Sequence, residues 1–144
     1  MWKNIQRLMT HYPRDYKICP ETYLLPDDYR RLMADRDTDS KALYIMKPNA
    51  SSCGKGIKVV GPGDMIPKKG GFLVSKYLLN PHLIDGFKYD LRIYVLVTSY
   101  DPLKVYLFDE GLVRFATERY STRVDSLKKR FVHLTNYSVN KKNE

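Results

Sequence analysis

The sequence predicts an α+β domain in which an antiparallel sheet carries flanking helices. Strand-like runs over residues 43–46, 57–60, 72–77 and from 87 onward are separated by glycine, proline and aspartate turns rather than by helical crossovers. Helical spacing is confined to two segments near the start and one near the end. At 144 residues with 43% hydrophobic content, the chain suffices for one domain with a core and is too short for two.

Trp2, Ile5 and Leu8 recur at helical spacing and predict a short amphipathic helix, which Pro13 ends. In Leu25-Pro26-Asp27-Asp28 a proline and two aspartates stand where a first helical turn favours them, and Tyr29, Leu32 and Met33 follow on one face. A helix is predicted over residues 26–34, then a polar surface loop over 35–41. The apolar strand 43–46 ends in Lys47-Pro48 and opens into a loop of serines and glycines, "KPNASSCGKGI", before strand character resumes at 57–60. Glycines let a backbone approach an anion closely, a turn aims several N–H groups at one phosphate, and a lysine adds charge. The stretch lacks the GxxxxGK[ST] pattern and following helix of a P-loop, so it reads as a flap on a hairpin. Gly61-Pro62-Gly63 closes that hairpin, and residues 72–77 form the next strand.

The stretch "FKYDLRIYVLVTSYDPLKVYLFDEGLVRFA" predicts a three-strand antiparallel meander, turning at Tyr100-Asp101-Pro102 and at Asp109-Glu110-Gly111. Alternation along its first strand places Lys88, Asp90 and Arg92 on one face, with Tyr89, Leu91, Ile93, Val95 and Val97 on the other. Residues 124–130 predict a short helix, and "FVHLTNYSVNKKN" follows with little periodic pattern.

Composition narrows the function classes. A formal charge of +9 and a pI near 9.5 favour an acidic partner. The basic residues are spread along the chain and match no nucleic-acid-binding motif, so nucleic acid is the weakest choice. No apolar run approaches the length of a membrane span, and the start lacks the pattern of a signal peptide, which makes a cytosolic or nuclear setting the default expectation. Cys19 and Cys53 have no partners at metal spacing and read as reduced thiols, so no metal ligands are assigned.

Taken singly, each candidate residue has a plain reading. Lys47 reads as a solvated edge lysine, the Lys88, Asp90 and Arg92 face as a salt-bridge ladder, and Arg114 as a solvated cation. His133 reads as a structural or surface histidine, because no acid or nucleophile adjoins it, and Thr135 and Asn136 as turn residues. Their joint occurrence in this order carries more. With "YIMKPNASSCGKGI", "LVSKYLLNPHLIDGFKYDLRIYVLVTSYDPLKVYLFDEGLVRFATERYS" and "HLTNYSVNKKN", the chain resembles the tubulin-tyrosine-ligase-like family, most closely its polyglutamylase branch. The weaker "MWKNIQRL" and "ETYLLPDDY" are similar to the family's lead-in segments.

The resemblance implies an ATP-grasp fold, of which residues 1–144 would be a partial domain lacking an N-terminal part and a C-terminal magnesium-binding part. It implies ATP and magnesium as cofactors, with the metal ligands expected beyond residue 144 and full turnover of the chain alone not expected. By position, Lys47 corresponds to a phosphate-contacting lysine, Cys53 and Gly54 to the covering loop, and Ser75, Lys76, Tyr77 and Leu78 to the adenine-cradling linker. Lys88 and Asp90 correspond to a charged pair near ribose and phosphates, with Arg92 beside them; Lys47, Lys88 and Arg92 are the candidate catalytic set. Arg114 corresponds to the arginine that takes the carboxylate of the incoming amino acid, a role suited to a guanidinium fork. Thr135 and Asn136 correspond to a nucleotide-contacting pair, and Tyr137 and Ser138 lie where the amino acid is held.

The implied reaction activates a glutamate side chain of a tubulin tail as an acyl phosphate, which the amine of free glutamate then displaces. The implied partners are tubulin or microtubules through their acidic C-terminal tails and free glutamate, with no nucleic acid or membrane and a monomeric chain. The implied setting is cytoplasm and cytoskeleton, extending to cilium or basal body. The rival expectation is a non-catalytic module that binds tubulin tails or nucleotide.

Overall fold

The computed structural model describes residues 1–143. Helix α1, Trp2–His11, opens the chain as the Trp2, Ile5, Leu8 spacing predicts. Strand β1, Thr22–Leu24, was not evident in the sequence; it is short and gains its ladder from a strand roughly fifty residues away, pairing Thr22 with Ser75. Helix α2 spans Tyr29–Thr38, so the surface loop predicted over 35–41 is largely a final helical turn. Tertiary contacts override the polar composition there. The Tyr23 hydroxyl donates to Asp35, and Arg36 Nη2 donates to the carbonyls of Gly61, Pro62 and Asp64 at 2.9, 2.8 and 3.1 Å.

Strands β2, Tyr44–Pro48, β3, Lys58–Val60, and β4, Phe72–Lys76, complete a four-stranded antiparallel sheet of order β1-β4-β2-β3. One face carries Tyr23, Tyr44, Met46, Val60 and Val74, which bury against Leu32 of α2 as the main core. By register, the other face carries Thr22, Leu24, Ile45, Lys47, Leu73 and Ser75. Ile45 and Val59 of that face adjoin a second cluster formed by Leu43, Tyr77 and Leu127.

A second sheet has the order β5-β6-β9, built from Leu83–Ile84, Phe87–Arg92 and Leu112–Arg119, while β7, Val95–Tyr100, and β8, Leu103–Leu107, pair as a separate ribbon. The predicted three-strand meander is therefore corrected to one long hairpin with a break in each arm. The turn at residues 101–102 reverses the chain, but Asp109-Glu110-Gly111 does not, and β9 runs back alongside β6 with Asp90 opposite Arg114. Phe108 N donates to Tyr94 O at 3.0 Å across the break. Gly111 sits so close that a Cβ there would lie 2.7 Å from the Arg92 carbonyl oxygen, which ties the two breaks together. The predicted helix over 124–130 is likewise corrected. A 3-10 turn, Val124–Ser126, precedes helix α3, Arg130–His133, and α4 covers Tyr137–Asn140.

Candidate nucleotide site

Strand β2 delivers Lys47 to the sheet face opposite the α2 core, and β6 delivers Lys88 from the second sheet. The two ammonium groups are close enough to repel: burial first, and the Lys47 charge second, push the Lys88 pKa down to about 8. Among the described residues neither lysine forms an ion pair. Asp90 favours the Lys88 charge, less than burial and Lys47 oppose it, and its oxygens are engaged elsewhere. Arg114 donates to it twice, Nε to Oδ1 and Nη2 to Oδ2, both at 2.7 Å, and the Thr135 hydroxyl donates to Oδ2 at 2.8 Å. Burial works against the Asp90 charge, but these hydrogen bonds and the Arg114 and Arg92 charges outweigh it and hold the carboxyl below its ordinary range.

Lys88 Nζ donates to the Tyr77 hydroxyl oxygen at 2.9 Å, and that hydroxyl lies 3.0 Å from His133 Nδ1. His133 Nε2 lies 3.0 Å from the Ser126 carbonyl oxygen, an obligate acceptor, so Nε2 carries the proton. Burial lowers the His133 pKa, leaving the ring neutral, with Nδ1 accepting from Tyr77.

The flap between β2 and β3 is held from the far end of the chain. Arg130 Nη2 donates to Gly54 O at 3.0 Å and the Ser138 hydroxyl to Cys53 O at 2.9 Å. Gly54 is required: its φ is +73°, and a Cβ would stand 2.9 Å from Val139 Cγ2 and 3.0 Å from Asn136 Oδ1. Beneath the flap lies a cavity of about 580 Å³ lined by Lys47, Ser51, Cys53, Gly54, Leu73 and Asn136. A larger cleft of about 870 Å³ follows β3 past Lys58 and Leu127; of the residues singled out in the sequence it includes His133 but not Lys47, Lys88, Asp90 or Arg114. Converging chemistry, rather than size, assigns the site to the smaller one.

The remaining residues are placed as follows. Ser75 is buried and accepts from the Thr22 hydroxyl at 3.0 Å. Lys76 turns to the α2 side, where it pairs with Asp39 at 2.9 Å, so its side chain is not at this site. The backbone N–H groups of Lys76 and Tyr77 donate to Glu21 O and Leu43 O, each at 2.8 Å, which removes two donors from the linker expected to read adenine. Leu78 is exposed. Arg92 ends β6 in solvent, 6.0 Å from the Tyr94 ring centroid. Tyr137 is 73% exposed, and Lys141 Nζ lies over its ring.

Two contributors, Arg130 and Asn140, escaped sequence reasoning, and His133 reads there only as a structural or surface histidine. His133 and Arg130 act on partners dozens of residues away, and Asn140 Oδ1 accepts from Thr117 N and Oγ1 at 3.0 and 2.9 Å, fastening the last segment to β9. No local spacing signals such contacts.

The donor set fits a polyphosphate. Lys47 lies under the glycine flap, the desolvated Lys88 feels its charge, and an anion held by both relieves that repulsion. For magnesium the fit is absent: among the described residues no three His, Cys, Asp or Glu side chains converge, and no step is routed through a metal.

Comparison with known proteins finds relatives that align with almost the whole chain. Tubulin monoglutamylase TTLL4 of Mus musculus is 46% identical over 144 residues, covering 99% of this chain and 12% of that protein. Tubulin polyglutamylase TTLL5 of Homo sapiens is 48% identical over 143 residues, covering 99% and 11%. A probable beta-tubulin polyglutamylase of Tetrahymena thermophila is 39% identical over 144 residues, covering 98% and 12%. The chain thus spans about one eighth of the length of these relatives. The match to the tubulin-tyrosine ligase family runs over residues 1–144, and the chain belongs to that family.

Proposed function

We propose that this chain provides the nucleotide-binding part of an ATP-grasp ligase that joins free glutamate to glutamate side chains of tubulin tails. One observation carries the reading: Lys47 lines the flap cavity, the desolvated Lys88 feels its charge, and neither has an ion-pair partner among the described residues. The family and the glutamylase names of its relatives point the same way.

ATP, as the co-substrate, supplies the phosphoryl group that activates the acceptor carboxylate. Lys47 and Lys88 hold its phosphates and offset the negative charge that gathers during transfer. The flap, latched by Arg130 and Ser138, screens that charge from water. Asp90 aligns Arg114 through its two-point contact, so the guanidinium sits preset for a second carboxylate, that of the incoming glutamate. Magnesium belongs to this reading as the partner of the nucleotide, with no ligands assigned in this chain. The protein acts as a monomer in the cytoplasm and on the cytoskeleton, with cilium or basal body among its settings.

The test is Lys47→Ala in the full-length protein. Glutamate incorporation into microtubules is expected to fall about 100-fold or more, the loss typical of removing one preorganised electrostatic contact. Undiminished incorporation overturns the phosphate role. Microtubule binding without any glutamate incorporation by the parent would replace the ligase with a non-catalytic tail-binding module.

A further inference from the structure

Three side chains from distant parts of the sequence form a one-way series of donors. His133 of α3 donates from Nε2 to Ser126 O, Tyr77 just past β4 donates to His133 Nδ1, and Lys88 of β6 donates to the Tyr77 oxygen. Tyr77 is 7% exposed and His133 3%, so neither ring has room to turn. The rings of Tyr77 and His133 meet edge to face at 5.6 Å, and the Tyr120 ring meets His133 edge to face at 5.8 Å.

A purely structural role leaves the last link unexplained. The Tyr77 hydroxyl is satisfied by His133 alone, and apolar rings fill the same space. Instead the series ends in a cation that burial disfavours. The titratable groups facing Lys88 are Tyr77 and His133, neutral by the tautomer argument above, Lys47 from β2, which repels it, and Asp90 from its own strand, whose oxygens Arg114 and Thr135 occupy. Lys88 is thus held in place without a counter-ion.

We propose that Tyr77 and His133 are positioning residues for Lys88: the donor series anchored on Ser126 O fixes the phenol oxygen, which holds the ammonium beside Lys47 and leaves its remaining protons for a phosphate. The proposal rests on the nucleotide reading for the identity of that anion. It places His133, which the sequence marks only as a structural or surface histidine, in the site's support.

The experiment measures Lys88 directly in the full-length protein. Competitive labelling with acetic anhydride across a pH series, read by mass spectrometry, reports the titration of that one amine. Tyr77→Phe keeps the ring and removes only the oxygen, so the charged amine loses its acceptor and its titration is expected to move to lower pH by about one unit. His133→Leu is expected to move it the same way, and His133→Asn, which restores an acceptor for the phenol, to return it toward the parent value. Binding of a fluorescent ATP analogue should weaken about tenfold in the two shifted variants at pH 8 and much less at pH 6.5, a pH-dependent loss that general loosening does not produce. If Tyr77→Phe fails to fold, the two His133 variants make the same comparison. A Lys88 titration unchanged in folded Tyr77→Phe or His133→Leu overturns the proposal. Shifted titrations in the variants, together with a parent that binds no ATP analogue at any pH, uphold the positioning role and overturn the nucleotide reading instead.

Discussion

Asp90 accepts three hydrogen bonds on two oxygens, and it joins three parts of the chain through them: its own strand, Arg114 on β9 and Thr135 in the final segment. Because its pKa is lowered on folding, its contribution to stability is present above the unfolded carboxyl value near 4 and is lost as pH falls through the lowered value. With its side chain 38% exposed, water screens the pair, and Asp90→Asn is expected to cost about 1 kcal/mol at pH 7. Urea titrations should find that difference shrinking as pH falls through the lowered range in which the parent carboxyl itself takes up a proton; a gap that persists once it is protonated would mean that geometry rather than charge holds Arg114. Strand alternation made Lys88 and Asp90 neighbours on one face in the sequence, since a period of two is local. The Asp90 and Arg114 pairing depends on a register that runs around a hairpin, and the His133 contacts depend on three separate elements, so neither was legible there.

Elements whose cause is local were legible. The spacing of Trp2, Ile5 and Leu8 appears as α1, and the apolar run before Lys47 and the strand over residues 72–77 appear as β2 and β4. Elements with distant causes were not. Asp109-Glu110-Gly111 has the composition of a reversing turn but forms the break in a continuing arm, because β9 finds its partner in β6 rather than in β8. The result is a β7-β8 ribbon with apolar side chains in solvent, Leu96 62% exposed and Leu107 64%. Packing therefore differs sharply between elements, and mutation should report it. Leu32→Ala removes a fully buried side chain from the α2 face of the main sheet and is expected to cost about 2–5 kcal/mol. Leu96→Thr keeps a strand-forming residue on the ribbon and should change stability by about 0.5 kcal/mol or less. Denaturant midpoints decide this; a large loss from Leu96→Thr would show that the ribbon is covered in solution.

At the scale of the molecule, charge is the dominant feature. Lysine and arginine number 25 against 16 aspartates and glutamates, and among the described residues only Arg31, Lys76, Arg114 and Arg123 form ion pairs with acidic side chains. Most of the positive charge is therefore free to act outward, including Lys58, Lys128 and Lys129 along the larger cleft. Such a field raises encounter rates with an acidic polymer, and exposed charges are screened within about 8–10 Å at physiological salt. This much was readable from composition, because net charge needs no fold; which cations remain unpaired needed the structure. For the full-length protein, cosedimentation with microtubules is expected to weaken about tenfold or more between 50 and 200 mM salt, with the on-rate carrying most of the change. Proteolytic removal of the acidic tubulin tails should lower affinity and flatten the salt dependence together, since both effects come from the same charges. Salt-sensitive binding that survives tail removal would place the contact on the microtubule body, and binding indifferent to salt would remove electrostatics from the encounter altogether.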